Sequence, residues 1–233
     1  MTSPLTTDAA EVLGHPHIVL GGIFGMEPAE RSAQRLNAFV AAGGQFVETA
    51  SSYFGGRGVT AVGNWLRQSP EPLDVVHKVG HDSTGGDMAL TRDAVLRDLE
   101  SSLAALHRSA VGVFVLHSDD PDRPIDDLVE LLIGIVEEGL ARAVGVSNWT
   151  AERLDALAAA LIGRGHVPLA SYHQSLARPQ PGAFRGSSRA ADADVLQVIR
   201  KHDLPLLSWS ADRKSGSAGM PRPMTRSRMP SSA

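Results

Sequence analysis

Short apolar runs alternate with longer amphipathic segments along most of this chain. The run 111–116 is apolar on both faces, which is typical of a strand in a parallel sheet covered by helices. In the segment 91–107, apolar residues recur at steps of three and four, which predicts a helix with one buried stripe. The same criteria predict strands at 18–20, 45–49, 73–77, 111–116, 141–146, 168–171 and 205–209. They predict helices at 28–42, 58–68, 91–107, 125–138, 150–161 and 190–202.

Residues at three helix ends support these boundaries. Thr91 and Thr150 stand where an N-cap hydroxyl can accept a hydrogen bond from the first turn. Gly139 suits the end of its helix, where a left-handed backbone conformation is needed.

The alternation of strands and helices predicts βαβ units and a parallel sheet. We expect an α/β fold of the (β/α)8 TIM-barrel type over residues 1–211, truncated after the seventh strand. A complete barrel usually needs about 250 residues, and this chain has 233. A doubly wound open sheet is the competing architecture, but no G-x-G-x-x-G motif opens the first helix after a strand.

The end of the chain differs in composition from the rest. It is rich in methionine, proline and basic residues and lacks hydrophobic periodicity. We predict that residues 212–233 form a disordered basic tail. A frameshifted or otherwise abnormal C-terminus fits the same composition.

Charge and composition narrow the class of partner. The net charge of -4 makes nucleic acid and anionic membranes poor candidates, and the absence of cysteine excludes disulfides and thiolate chemistry. We find neither a signal peptide nor a membrane-spanning run, and therefore expect a cytoplasmic protein. His15 and His17 have no recognisable companion ligands, so we predict no metal site.

Polar and aromatic side chains follow or end six of the predicted strands. In a barrel such positions form the active site, because the carboxyl ends of all strands meet at one mouth. The residues in these positions are Glu48, Tyr53, His77, Lys78, His117, Ser118, Asp119, Asp120, Ser147, Asn148, Tyr172, His173, Gln174 and Trp209. Each has an ordinary explanation alone: Lys78 as a solvated charge, His117 as a loop histidine, Ser147 and Asn148 as a helix cap. Their occurrence at successive strand ends predicts a functional site.

Four separated segments resemble motifs of the aldo-keto reductase family. Residues 46–53, FVETASSY, are similar to the family's F-x-D-T-A-x-x-Y, and Lys78 and His117 match its strand-end lysine and histidine. Residues 139–148, GLARAVGVSN, resemble its G-x-x-x-x-x-G-x-S-N signature. The resemblance covers roughly residues 18–211.

The resemblance implies a catalytic tetrad of Glu48, Tyr53, Lys78 and His117. Tyr53 would protonate the carbonyl oxygen as a general acid, and His117 would orient the carbonyl. Glu48 would hold Lys78. A free tyrosine has a pKa of about 10, and the charge of Lys78 would lower the pKa of Tyr53.

The resemblance also implies NADPH as the hydride donor. Ser147 and Asn148 match residues that bind the nicotinamide carboxamide, and Trp209 matches an aromatic side chain that stacks on the ring. Gln174 is our choice for the family's sixth-strand glutamine, with Ser171 as an alternative. Trp209 fits an ordinary core aromatic equally well.

Two departures from the family pattern bear on activity. Glu48 replaces the tetrad aspartate and places its carboxylate one methylene further out. The family's segments beyond the seventh strand, which grip the cofactor phosphates, have no match here. An incomplete barrel exposes two sheet edges, which favours a homo-oligomer formed through the open edge, insertion of the tail, or aggregation.

We therefore expect a reductase acting on a small-molecule carbonyl substrate, an aldehyde or a ketone. The alternative is a catalytically weak or inactive homologue with a binding role or arising from truncation. A barrel lyase or isomerase using Lys78 as a Schiff base would leave Tyr53 and His117 unexplained. Phe24, Phe54 and Trp149 would line the substrate pocket or pack under loops.

Overall fold

The computed structural model describes residues 6–14, 18–22, 24–69, 72–81, 89–174 and 189–209. Within them, the strands are β1 (Thr7–Asp8), β2 (Val19–Leu20), β3 (Phe46–Ala50), β4 (Asp74–Val79), β5 (Val111–Leu116), β6 (Ala141–Ser147), β7 (His166–Val167), β8 (Leu169–His173) and β9 (Leu206–Trp209). The helices are α1 (Ala9–Leu13), α2 (Ala29–Ala41), α3 (Arg57–Gln68), α4 (Arg92–Leu106), α5 (Ile125–Glu137), α6 (Ala151–Ile162) and α7 (Ala193–Lys201).

Seven strands form one parallel sheet that curls into a half-barrel, in the order β2-β3-β4-β5-β6-β8-β9. The strands follow one another in chain order, without the reversal that defines a doubly wound sheet. The predicted α/β barrel-type fold is therefore confirmed, with each of the seven predicted strands present in this sheet. The six predicted helices are present as well, as α2 to α7.

Two apolar layers flank the sheet because side chains alternate between its faces. The inner layer consists of Phe46, Val76, Val113, Val115, Ala143 and Leu169, together with Ala9 and Leu13. The outer layer is larger and joins the other face of the strands to the surrounding helices. Burial on both faces explains why the strands are nearly continuous apolar runs in the sequence.

Three short elements near the amino ends of the strands were not predicted. The two residues of β1 pair with β7, and α1 places Ala9 and Leu13 against the inner layer. The side chain of Asp8 caps this helix by accepting a hydrogen bond from the backbone N–H of Ala10 at 2.7 Å. At five residues, α1 is too short to show helical periodicity in the sequence.

The predicted helix ends are confirmed where caps were identified. The hydroxyl groups of Thr91 and Thr150 accept hydrogen bonds from the backbone N–H groups of Ala94 and Arg153. Gly139 has a φ of +71°, the left-handed conformation that ends α5.

Strands β2 and β9 are the edges of the sheet within the described residues. Association of two copies through these edges stays a prediction. The predicted tail at 212–233 lies outside the described residues, so its boundary is also untested. Across the described ranges, no helix has the length and hydropathy needed to cross a lipid bilayer.

Candidate active site

The register of β3 and β4 brings a carboxylate and an ammonium together on the inner face of the sheet. Ala50 lies beside Lys78 and Thr49 beside His77, so Glu48 and Lys78 point to the same side. Glu48 Oε2 lies 3.1 Å from Lys78 Nζ. Lys78 is 1% exposed and Glu48 7% exposed, so this is an ion pair removed from water.

Tyr53 reaches the same pair from the turn that follows β3. Its hydroxyl donates a hydrogen bond to Glu48 Oε1 at 3.0 Å. The loop after β2 runs close to its ring, because a Cβ added at Gly22 would lie 3.5 Å from Tyr53 and 2.7 Å from the Glu48 carbonyl oxygen. Glycine at position 22 thus allows the backbone to pack against the phenol.

The fourth member, His117, follows β5 and faces Tyr53. The two rings are 5.5 Å apart between centroids and meet edge to face at 73°. Its backbone N–H donates to the Val79 carbonyl at 2.7 Å, which fixes the loop beside β4. Its Nδ1 atom is buried and has no hydrogen-bond partner within the described part of the chain. The structure therefore brings all four tetrad residues together.

His81 is a further member of this cluster that the sequence analysis missed. Its ring lies 4.2 Å from the ring of His117, tilted by 32°. The signal was present, because His81 follows β4 only three residues after Lys78. Gly22 was missed too, since a glycine in a loop gives no sign of the ring beside it.

The surroundings of Tyr53 and His117 shift the pKa values of both side chains, and the shift of Tyr53 is opposite to our expectation. Burial first, then the charge of Glu48 and its hydrogen bond, raise the pKa of Tyr53 well above its usual value. The expected lowering of the Tyr53 pKa is therefore not seen in this arrangement, because burial and the contacting carboxylate of Glu48 raise that pKa instead. Burial, followed by the charges of Lys78, His81 and His77, lowers the pKa of His117 well below its usual value. Near neutral pH both rings are uncharged.

Asn148 connects three segments at the mouth of the half-barrel. Its side-chain nitrogen donates to the His117 carbonyl at 3.1 Å and to Ser147 Oγ at 2.9 Å. Its side-chain oxygen accepts from the Arg189 backbone N–H at 2.9 Å. Both amide protons are thus used within the protein, and its φ of +68° is a conformation that asparagine tolerates. This geometry supports a positioning role for Asn148.

The acidic loop after His117 is held by Arg153 of α6. The Arg153 guanidinium donates to Asp119 Oδ2 at 2.6 Å and to the carbonyl groups of Asp120 and Arg123, each at 3.1 Å. Asp120 Oδ2 accepts from the Leu90 backbone N–H. Asp119 and Asp120 therefore anchor the loop, and Ser118 does the same through the Gly80 carbonyl.

The proposed cofactor residues occupy two neighbouring strand ends and one edge. Ser147 and Ser171 are register partners on β6 and β8, and both are fully buried. The Oγ atom of Ser171 has no hydrogen-bond partner among the residues that the structure describes. Gln174 is partly buried just beyond β8, and half-buried Trp209 meets the ring of His173 edge to face at 5.2 Å.

The three candidate pocket aromatics have different surroundings. Phe24 and Trp149 are fully buried in the outer apolar layer, which favours packing under loops. The Tyr172 hydroxyl, also fully buried, donates to the Trp149 carbonyl at 3.0 Å. Phe54 is half-buried, 6.3 Å from Tyr53 between ring centroids, and is the one of the three beside the tetrad.

His77 precedes Lys78 but points to the opposite face of the sheet. It is 0% exposed, and neither ring nitrogen has a hydrogen-bond partner within the described ranges. Burial lowers the pKa of His77 to about 3, so its ring is neutral at physiological pH. It lies in the layer between sheet and helices, outside the cluster around Tyr53.

We expect His77 to make the protein sensitive to acid. An unfolded histidine titrates near 6.5, whereas folded His77 resists protonation down to about pH 3. The unfolded state therefore binds the extra proton first, and stability falls by up to about 1.4 kcal/mol per pH unit as pH drops through this window. Urea unfolding between pH 7 and pH 4 should show a shallower fall for His77→Leu than for the wild type.

The matched control for this prediction is His107→Asn. His107 is exposed and has a φ of +55°, which asparagine accepts without strain. This variant should keep the wild-type pH dependence. An unchanged pH dependence in His77→Leu would contradict the assignment of the acid sensitivity to His77.

Comparison with known proteins shows the family to which this chain belongs. Residues 17–214 match the sequence profile of the Aldo/keto reductase family, which is most of the chain. The chain belongs to this family of oxidoreductases. The Bacillus subtilis aldo-keto reductase YhdN is 24% identical over 139 residues, and the Escherichia coli oxidoreductase YdhF is 25% identical over 179 residues.

A solved structure supports the same grouping. The aldo/keto reductase from Klebsiella pneumoniae, in complex with NADP and acetate, matches with a TM-score of 0.65 at 25% identity. The match covers 82% of this chain and 63% of that protein. The matches to YhdN and YdhF cover 58% and 66% of this chain, but only 42% and 60% of the length of those relatives. The chain thus spans less than two thirds of each of these three proteins.

Proposed function

We propose that this chain reduces an aldehyde or a ketone to an alcohol, with NADPH as the hydride donor and Tyr53 as the general acid. The observation that carries the proposal is the convergence of Tyr53, Glu48, Lys78 and His117 in one buried cluster. A phenol, a carboxylate, an ammonium and an imidazole together can supply a proton and stabilise the charge that its loss leaves behind.

The proton moves from the Tyr53 hydroxyl to the carbonyl oxygen of the substrate. Lys78 lies next to Glu48, and its positive charge stabilises the negative charge that develops on the phenolate. The lowered pKa of His117 keeps its imidazole neutral, so it orients the carbonyl through a hydrogen bond and brings no added charge.

The described residues fit the nicotinamide end of NADPH. Ser171 offers a buried hydroxyl without a partner in the described part, beside Ser147 on the next strand. We propose that these two hydroxyl groups bind the carboxamide and that half-buried Trp209 contacts the ring, with Gln174 nearby and Asn148 fixing Ser147. When bound, the cofactor supplies the hydride.

The test is a binding titration with NADPH, in which quenching of intrinsic tryptophan fluorescence reports the bound fraction. NADH serves as the matched ligand. We expect a micromolar Kd for NADPH and NADPH-dependent reduction of a small aldehyde. Ser147→Ala should weaken NADPH binding by about fivefold, because one buried hydrogen bond contributes on the order of 1 kcal/mol. Ser109→Ala, at an exposed turn before the amino end of β5, should leave binding unchanged.

The absence of binding at millimolar NADPH would overturn the proposal. It would favour the alternative, a catalytically weak or inactive homologue with a binding role. Equal loss of affinity in Ser147→Ala and Ser109→Ala would contradict the proposed contacts while leaving cofactor binding intact.

A further inference from the structure

Glu48 contacts two members of the tetrad at once. One carboxylate oxygen lies 3.0 Å from the Tyr53 hydroxyl, and the other lies 3.1 Å from Lys78 Nζ. The side chains of Glu48 and Lys78 are 9% and 2% exposed. A low local dielectric strengthens a hydrogen bond to a charged group, so the buried carboxylate holds the phenolic proton.

The double contact depends on the length of glutamate. The matching motif of the family has aspartate at this position, which is shorter by one carbon–carbon bond of about 1.5 Å. An aspartate at position 48 would place its carboxylate closer to β3 by that length, so it would lose contact with either Tyr53 or Lys78. Lys78 can follow it on a flexible four-carbon chain. Tyr53 cannot, since its ring is held between the Gly22 backbone and His117.

We propose that Glu48 is a positioning residue that retains the Tyr53 hydroxyl proton in the resting site, and that Glu48→Asp releases Tyr53 and accelerates reduction. This inference rests on the proposed function. In the wild type, a substrate carbonyl must compete with a carboxylate for the phenolic proton. In the aspartate variant the hydroxyl is free to donate, while Lys78 keeps its counter-ion.

The charged and titratable groups around Tyr53 come from three elements. Glu48 on β3 is in direct contact, Lys78 on β4 pairs with it, and His117 faces the ring from the loop after β5 with His81 stacked behind. Burial raises the pKa of Tyr53, and the charge and hydrogen bond of Glu48 raise it further. Withdrawing the carboxylate removes the negative charge that contacts the phenol, so the phenolate becomes easier to form.

Tyrosinate absorbance in the ultraviolet measures this effect without cofactor or turnover. The chain has two tyrosines, Tyr53 and Tyr172, so a Tyr172→Phe background assigns the signal to Tyr53. We expect Glu48→Asp to shift ionisation of Tyr53 to lower pH. With NADPH and an aldehyde, we expect kcat to rise about tenfold, as loss of one charge-assisted hydrogen bond in the ground state implies. The Kd for NADPH should stay the same.

The two readouts separate this inference from the proposed function. If the wild type neither binds NADPH nor reduces aldehydes, the proposed function fails, and the absorbance titration still decides the role of Glu48. A folded Glu48→Asp variant with unchanged titration of Tyr53 and no gain in kcat would overturn the inference. Should Glu48→Asp fail to fold, Glu48→Gln keeps the length and removes the charge. It should also lower the pH of Tyr53 ionisation, and an unchanged titration there would overturn the inference too.

Discussion

Tyr53→Phe should lower the rate of carbonyl reduction by about 100-fold to 10,000-fold, the usual contribution of a general acid. The variant keeps the ring that faces His117 and removes only the hydroxyl that donates to Glu48. Because the hydroxyl contacts no proposed cofactor residue, the Kd for NADPH should remain close to that of the wild type. Steady-state reduction of an aldehyde and a fluorescence titration with NADPH measure the two quantities.

Tyr172→Phe is the matched control, since it removes the other tyrosine hydroxyl of the chain. That hydroxyl donates to the Trp149 carbonyl in the core, away from the tetrad. The variant should retain the wild-type rate. A Tyr53→Phe variant that reduces aldehydes as fast as the wild type would exclude Tyr53 as the proton donor.

Lys78→Met should lower the free energy of unfolding by about 3–5 kcal/mol, because it leaves the carboxylate of Glu48 buried without its counter-ion. Methionine fills a volume similar to that of the lysine stem, so the loss measures the missing charge rather than a cavity. Urea or thermal unfolding at neutral pH tests the prediction.

A double mutant provides the control. Lys78→Met with Glu48→Gln removes both charges and keeps both side-chain lengths, so most of the lost stability should return. If Lys78→Met unfolds like the wild type, or if the double mutant is no more stable than the single one, the ion pair at 3.1 Å does not determine the stability of this site.

The candidate site was predictable as a set of residues but not as a set of contacts. The barrel rule places functional groups at the carboxyl ends of the strands, and the family resemblance singled out Glu48, Tyr53, Lys78 and His117 among the residues there. Neither could show that Glu48 reaches Tyr53 as well as Lys78. Burial and that contact both raise the pKa of Tyr53, and the sequence shows neither of them, which is why it predicted a lowered pKa.

The contacts of Asn148 and the orientation of His77 were likewise not predictable from the sequence. Both stand beside site residues in the sequence. In three dimensions the amide of Asn148 connects the His117 loop to Arg189, and His77 points away into the helix layer. Neighbours along a strand face opposite sides, so adjacency in the sequence does not establish membership of a site.

The sequence by itself determined the order and type of the main elements. Parallel strands buried on both faces appear as continuous apolar runs, and amphipathic helices appear as apolar residues at steps of three and four, so both are visible in short segments of sequence. It also determined which residues stand at the strand ends. Only the tertiary structure decided the packing of α1 beneath the inner layer, the stacking of His81 on His117, and the double contact of Glu48. These depend on distances between side chains far apart in the sequence, and differences near 1.5 Å, the length of one carbon–carbon bond, change which partner a carboxylate reaches.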